Sequence, residues 1–570
     1  MYLDEYKRWK ELALEDKDIQ QELAQIEGND DGIKDRFAID LSFGTAGLRG
    51  VIGAGTNRMN IYTVRRATQG FAEYLCSLSS TPSVAIAYDS RVKSDLFARE
   101  AACVMAANRV TVHLYPVLEP VPALSFAVRH LHADAGIMIT ASHNPAKYNG
   151  YKAYGPDGCQ MTDEAADAVL ARIQNLDIFN SIQTMPYEDA LAAKRICLIG
   201  QETLETFYQN VKAQSIRPGI CKNSNLKLVY SPLNGTGNVP VRRILADIGL
   251  TDITIVPEQE LPDGNFPTCP YPNPEIKEAL ALGLSLAQKI GADLMLATDP
   301  DADRVGIAVR DEKGEYHLLS GNEVGVLLLD YIAKGRKESG TMPANPVFVK
   351  SIVTTPMADA VAEKLGIETI NVLTGFKYIG EQILHLEQKG EADRFVFGFE
   401  ESYGYLSGTY VRDKDAVVAS MLICEMAAYH RTQGSSLYEA LNKLYEEYGR
   451  YYCKVDSFTF EGLSGMEKMA EKMKFLRENP SKSIAGLSVT QLFDYQSGVV
   501  TQIATEKVEK LNLPSSNVLR YVLQERASVV VRPSGTEPKL KIYYTSTGIN
   551  LEKATAMQQK MAEDLVPIIQ

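Results

Sequence analysis

The sequence predicts an α/β chain of three related doubly wound mixed α/β domains followed by a smaller C-terminal α+β domain. Three observations carry that expectation. Short β-branched runs alternate with helical patterns, the signature of βαβ units. The alternation restarts twice, near Leu226 and near Val347, and after about Gly449 it gives way to two strands around a short polar loop. At 570 residues, several domains are the sensible prior.

Each element follows in order. Met1 to Ile26 mixes acids, bases and apolar residues and reads as one charged amphipathic helix, not a signal peptide. Val84–Tyr88 reads as a buried strand, Ser94 to Ala107 as a helix and Val110–Leu114 as the next strand. Ala135–Ile139 is a strand that delivers the chain into Thr140-Ala-Ser-His-Asn-Pro145. The second cycle runs from the strand Leu226–Tyr230 and the loop Ser231–Gly237 to the strand Asp293–Ala297. That strand opens into Thr298-Asp-Pro-Asp-Ala-Asp-Arg304. The third contains Val347–Lys350 and Phe395–Phe397, ahead of Phe399-Glu-Glu-Ser-Tyr-Gly404. Strands Ser528–Val531 and Leu540–Tyr544 and a helix from about Leu551 make an antiparallel α+β unit. The expected domains are 1–205, 206–322, 323–449 and 450–570.

Composition narrows the chemistry. Apolar residues at 45% and charged residues at 23% are ordinary globular values. A net charge of −13 and a pI near 5.3 argue against nucleic acid or an anionic membrane as partner. An anionic substrate would then need local positive charge. No run approaches 18 uncharged apolar residues, so no membrane span is expected. Eight scattered cysteines without a C-x-x-C pair fit reduced thiols in a cytoplasmic protein.

Four loops carry chemistry. In Asp299-Pro-Asp-Ala-Asp-Arg304, carboxylates at i, i+2 and i+4 just past an apolar strand can converge on one hard cation. An EF-hand would need Gly at loop position six and Glu at twelve, where Arg304 and Arg310 stand. Ser142 also follows a strand and is either a turn or cap residue or an acceptor of phosphoryl groups beside that cation. No G-x-S-x-G pattern surrounds it, which disfavours acyl transfer. His143 either shuttles protons or completes the loop. Arg532-Pro-Ser-Gly-Thr-Glu-Pro-Lys539 can wrap a phosphate with backbone N–H groups and a bidentate Arg, supplying the local positive charge. Phe399–Gly404 offers carboxylates and a hydroxyl to sugar hydroxyls. Thr374-Gly-Phe-Lys377, Arg412-Asp-Lys-Asp415 and Phe43–Gly50 each place a base beside Gly or acidic residues in a loop.

Taken together, and in this order from about Ser42 to Tyr544, these segments resemble the α-D-phosphohexomutase family, in particular its phosphoglucomutase branch. The resemblance implies four domains around a central cleft, each donating one loop. Ser142 matches the phosphorylated serine. Asp299, Asp301 and Asp303 match Mg²⁺ ligands, with the phosphoserine oxygen of Ser142 completing the site. Glu400, Ser402, Thr374 and Gly375 match sugar contacts, and Arg532, Ser534, Gly535 and Thr536 match a clamp for the non-reacting phosphate. Arg49, Lys152, Arg304 and Lys414 match basic residues lining the cleft.

One departure is that some members carry His directly after the Thr-Gly pair, where this chain has Phe376 and then Lys377. The general acid/base therefore stays open among Lys414, His143 and Lys377. A lysine in a cationic, desolvated cleft is expected to have a lowered pKa suited to that task.

The function implied is interconversion of glucose 1-phosphate and glucose 6-phosphate, with glucose 1,6-bisphosphate as activator and intermediate. The alternatives are a phosphopentomutase, a phosphomannomutase, a glucose 1,6-bisphosphate synthase, a phosphatase or phosphotransferase using the same serine, and a non-catalytic sugar-phosphate sensor. Against the sensor stand Ser142 and all three Asp, since a sensor needs no nucleophile.

Overall fold

The computed structural model describes residues 2–44, 47–460, 463–533 and 539–569. Its first sheet has six strands in the order Leu48–Val51, Tyr148–Tyr154, Ala135–Ile139, Ser83–Tyr88, Thr111–Leu114, Ile196–Leu198. The second has five: Tyr316–Leu319, Val305–Arg310, Leu294–Thr298, Leu228–Ser231, Ile253–Ile255. The third has four: Glu368–Val372, Val347–Ser351, Phe395–Glu400, Gly404–Leu406.

The three share one device. Ala135–Ile139, Leu294–Thr298 and Phe395–Glu400 each pair in parallel on one side and antiparallel on the other with the strand that follows in sequence. All three are buried throughout, and apolar save for the terminal Thr298 and Glu400, as strands covered on both faces must be. A chain that leaves such a strand and returns antiparallel has to turn at its carboxyl end. The turns so formed carry Ser142, the Asp triplet and Ser402.

The N-terminal region corrects one expectation. Residues 1–26 hold not one helix but two, Tyr2–Leu12 and Lys17–Gln25, followed by a third at Asp30–Phe37. The break is chemical: Asp16 takes an extended backbone and its carboxylate accepts from the Asp18 N–H, capping a new helix. The helices bury Trp9, the only tryptophan, against Phe37, Tyr62 and Phe179 at ring separations of 5.4–5.7 Å.

One continuous apolar core runs from the helix Val121–His130 through the second and third sheets, and a separate core lies beneath the fourth. The fourth sheet is largely antiparallel and includes the hairpin Ser528–Pro533 with Lys539–Gly548. It meets the third through a small cluster of Ile352, Val353 and Leu373 against Tyr495, Val518, Val530 and Tyr543. The eight cysteines are free thiols. Among the described residues, no helix is long and apolar enough to cross a membrane.

Candidate active site

Two of the turns meet face to face. Ser142 sits in the left-handed region at φ 52°, with its N–H donating to Thr140 Oγ1 at 2.9 Å. That conformation aims Oγ at the second sheet, where it donates to Asp299 Oδ2 at 3.0 Å and lies 3.1 Å from His143 Nδ1. Thr140 Oγ1 in turn stands between Asp89 Oδ2 at 2.7 Å and Asp301 Oδ2 at 3.1 Å.

The acidic turn is closed by Ala302 N–H donating to Asp299 O at 2.9 Å and is gripped from two sides. Val121 N–H donates to Asp301 O at 2.9 Å, and Ala416 N–H to Ala302 O at 3.2 Å. Carboxylate oxygens of Asp299, Asp301 and Asp303 lie within 4.8 Å of one another, all three residues fully buried or nearly so. Among the described residues, Asp301 Oδ1 and Asp303 Oδ1 have no hydrogen-bond partner. Orphaned buried carboxylate oxygens are costly, and hard oxygen donors converging in this way fit a divalent cation of the Mg²⁺ type. The electrostatics agree. Burial, with repulsion from Asp301 and Asp303, drives the Asp299 pKa well above the usual carboxylate range. Asp303 is held below it because Lys414, Lys152 and Arg304 outweigh its burial.

Cations from the other elements complete the ring. Lys152, on the strand Tyr148–Tyr154, reaches Asp301 Oδ2 at 2.9 Å and Asp303 Oδ2 at 3.3 Å. Lys414 reaches Asp303 Oδ2 at 3.2 Å and Asp413 Oδ1 at 2.8 Å. A side chain at Gly404 would lie 2.3 Å from Lys414 Cδ, so the glycine makes room for this lysine. Arg304 donates to Glu275 Oε1 at 2.6 Å and to Ser402 O at 3.0 Å, tying the second turn to the third. Arg49 stands opposite Gly150 in the first sheet, near enough for its charge to bear on His143.

Glu400 ends its strand buried, accepting from Gly375 N–H at 2.7 Å, while Thr374 Oγ1 is buried with no hydrogen-bond partner among the described residues. Arg532 is near enough for its charge to favour the Glu400 carboxylate, although burial still raises that pKa. Ser534, Gly535 and Thr536 lie outside the described residues.

Two features depart from the sequence reading. Lys377, on the first turn of the helix Phe376–Gln388, pairs with Asp163 at 2.5 Å and faces a different cavity from the acidic turn. Lys414 does not have a lowered pKa: burial opposes its charge, but Asp303 and Asp413 overcome that and raise it. Burial, Arg304 and Arg49 instead keep His143 well below its ordinary value and so neutral. Sequence reasoning also missed Asp413, which accepts from Tyr154 Oη at 2.9 Å as well as from Lys414. The signal was there, in an acid adjoining a cleft lysine.

Known proteins agree with this architecture. Residues 40–178, 204–314 and 320–448 match the α/β/α domains I, II and III of phosphoglucomutase/phosphomannomutase, and residues 499–563 match the C-terminal domain. A phosphoglucomutase of Staphylococcus saprophyticus is 37% identical over 516 residues, 90% of this chain and 92% of that protein. One from Staphylococcus epidermidis is 38% identical over 505 residues, covering 88% and 90%. In fold, the open form of the Paramecium phosphoglucomutase pp63/parafusin matches with a TM-score of 0.68 at 17% identity, covering 93% of this chain and 94% of that one. With four matched domains in order and relatives alike along nearly the whole length, the chain belongs to the phosphoglucomutase/phosphomannomutase family, the α-D-phosphohexomutases.

Proposed function

We propose that the protein is a phosphoglucomutase that interconverts glucose 1-phosphate and glucose 6-phosphate by way of a phosphorylated Ser142 and a bisphosphorylated sugar. The observation that carries this reading is the 3.0 Å contact between Ser142 Oγ and Asp299 Oδ2 across two domains, inside a ring of buried cations. The family relatives named phosphoglucomutase support the glucose substrate. The expected divisions at 205, 322 and 449 stand as the domain limits of this reading.

Ser142 carries the phosphoryl group and gives it to the free hydroxyl of a sugar monophosphate. The bisphosphate turns over, and the other phosphoryl group returns to Ser142 Oγ. Asp299, Asp301 and Asp303 would hold Mg²⁺, which supplies charge neutralisation for the transferring group. Glu400, Ser402, Thr374 and Gly375 orient the sugar, while Arg532 with Ser534, Gly535 and Thr536 clamps the idle phosphate. Arg49, Lys152, Arg304 and Lys414 balance its charge. The neutral His143 imidazole, 3.1 Å from Ser142 Oγ, is suited to take a proton there, whereas Lys414 stays charged and serves electrostatically. Lys377, turned to Asp163, takes no part.

The test is a coupled assay with glucose, mannose, ribose and deoxyribose 1-phosphates plus catalytic glucose 1,6-bisphosphate. Glucose 1-phosphate should be preferred and Ser142→Ala should abolish turnover. Near-normal mutase activity in that variant would rule the scheme out.

A further inference from the structure

Besides the contacts of Ser142, Thr140, Lys152 and Val121 with the acidic turn, the first two domains also meet through residues with no role so far. Arg91 follows the strand Ser83–Tyr88 and is wholly buried at its side chain. Its guanidinium faces the inside of the serine loop. Nη1 donates to Pro145 O and Tyr148 O, each at 3.0 Å, and Nη2 donates to Asn144 O at 2.5 Å and to Ser142 O. Nε lies 3.3 Å from Asp89 Oδ2, an ion-pair contact without hydrogen-bond alignment. Four carbonyls of one short loop thus converge on a single planar fork, a pattern that five rigid donors can serve and an ammonium group cannot.

The outer face of this guanidinium is covered by the second domain. The Phe266 ring lies 5.1 Å from Arg91 Cζ. Gly264 presses so closely that a Cβ there would fall 2.3 Å from Val92 N and 2.7 Å from Arg91 C. The segment bearing these two residues is tied back to its own domain, since Asp263 N–H donates to Asn234 O at 3.1 Å and Asn234 Nδ2 to Leu261 O at 2.8 Å. Two residues on, Thr236 donates to Pro300 O from its N–H at 2.8 Å and from Oγ1 at 3.0 Å. A continuous path therefore joins the backbone of Ser142 to the backbone of the acidic turn through Arg91, Phe266, Asn234 and Thr236.

We propose that Arg91, clamped by the Gly264–Phe266 strap, is a positioning residue that fixes Ser142 against the acidic turn for phosphoryl transfer. It touches neither substrate nor the reacting atoms and acts through the serine loop. The inference rests on the proposed mutase reading for its catalytic consequence alone.

Three variants test it. Arg91→Lys keeps the charge and loses the fork; Phe266→Leu removes the ring face; Gly264→Ala forces the strap away without altering the serine loop. In Arg91→Lys, kcat should fall roughly 100-fold, as expected when reacting groups are misplaced by about an ångström, with KM changed by less than about threefold. Hydrogen exchange of the 142–148 amides should quicken in all three, with the Ala135–Ile139 strand unchanged. A folded Arg91→Lys enzyme with kcat within about twofold of the parent overturns the proposal. Should Arg91→Lys not fold, unchanged kcat and unchanged loop exchange in Gly264→Ala overturn it equally. A parent enzyme without mutase activity would sink the functional reading instead, and loop exchange would then decide the positioning role by itself.

Discussion

Where the serine loop meets the acidic turn, the chain is joined by buried charge and directional hydrogen bonds: Lys152 on Asp301 and Asp303, Thr140 on Asp301, and Val121 N–H on Asp301 O. The fourth sheet meets the third through Ile352, Val353 and Leu373 against Tyr495, Val518, Val530 and Tyr543, and its main core is its own. Hydrogen bonds hold only within narrow limits of distance and angle, whereas apolar contact is non-directional and tolerates sliding. The first junction suits groups that must stay in register during phosphoryl transfer. The second suits a domain that swings over a substrate and releases it.

The comparison can be broken from the polar side first. Lys152→Met should destabilise the metal-free protein by about 3–5 kcal/mol, because it strips the nearest cation from buried carboxylates. Added Mg²⁺ should recover part of that loss by binding the folded state. Urea unfolding with and without Mg²⁺ reads both effects, and equal loss in the two conditions would contradict the assigned cation site.

On the apolar side, Ile352→Ala should cost about 2–4 kcal/mol of stability as an ordinary cavity substitution. On the reading that this junction opens and closes during the cycle, kcat and KM should shift together by small factors, as steady-state kinetics would show.

The smallest effect sharpens the contrast through pH. Glu401, beside Glu400, turns to Ser351 Oγ at 3.1 Å and Thr354 Oγ1 at 3.3 Å behind the third turn. Burial and the Glu400 charge raise its pKa from 4.5 to about 7. The folded chain therefore keeps a proton that the unfolded chain releases, so this group's stability contribution falls from about pH 4.5 to about pH 7 and is level above. Glu401→Gln should match the parent near pH 4 and gain about 1–3 kcal/mol by pH 8 in thermal or urea unfolding. A gain that is independent of pH would mean that the carboxyl titrates normally.

Much of this was legible in the sequence, for physical reasons that differ by region. Buried strands such as Ala135–Ile139 and Leu294–Thr298 declare themselves through unbroken apolar runs, and the polar turns after them stand out by contrast. The N-terminal break was harder, because Asp16 sits among other acids and its capping role depends on one backbone conformation. Lys377 was misjudged since a residue on a helical first turn points where the helix axis sends it, not where its neighbours in sequence suggest. Lys414 was misjudged in sign because the sequence shows Asp413 beside it but not Asp303, which the second turn brings in from more than a hundred residues away. The Gly264–Phe266 strap left no trace, as a segment rich in Pro and Asn has no periodicity to read.

The left-handed backbone at Ser142 has a consequence for evolution of the nucleophile. Threonine offers the same hydroxyl and serves as a phosphoryl acceptor elsewhere in chemistry, yet its branched β-carbon is a poor tenant of positive φ. The choice of serine here is thus made by the main chain before any question of reactivity arises, and a change of hydroxyl donor would require the turn itself to be rebuilt.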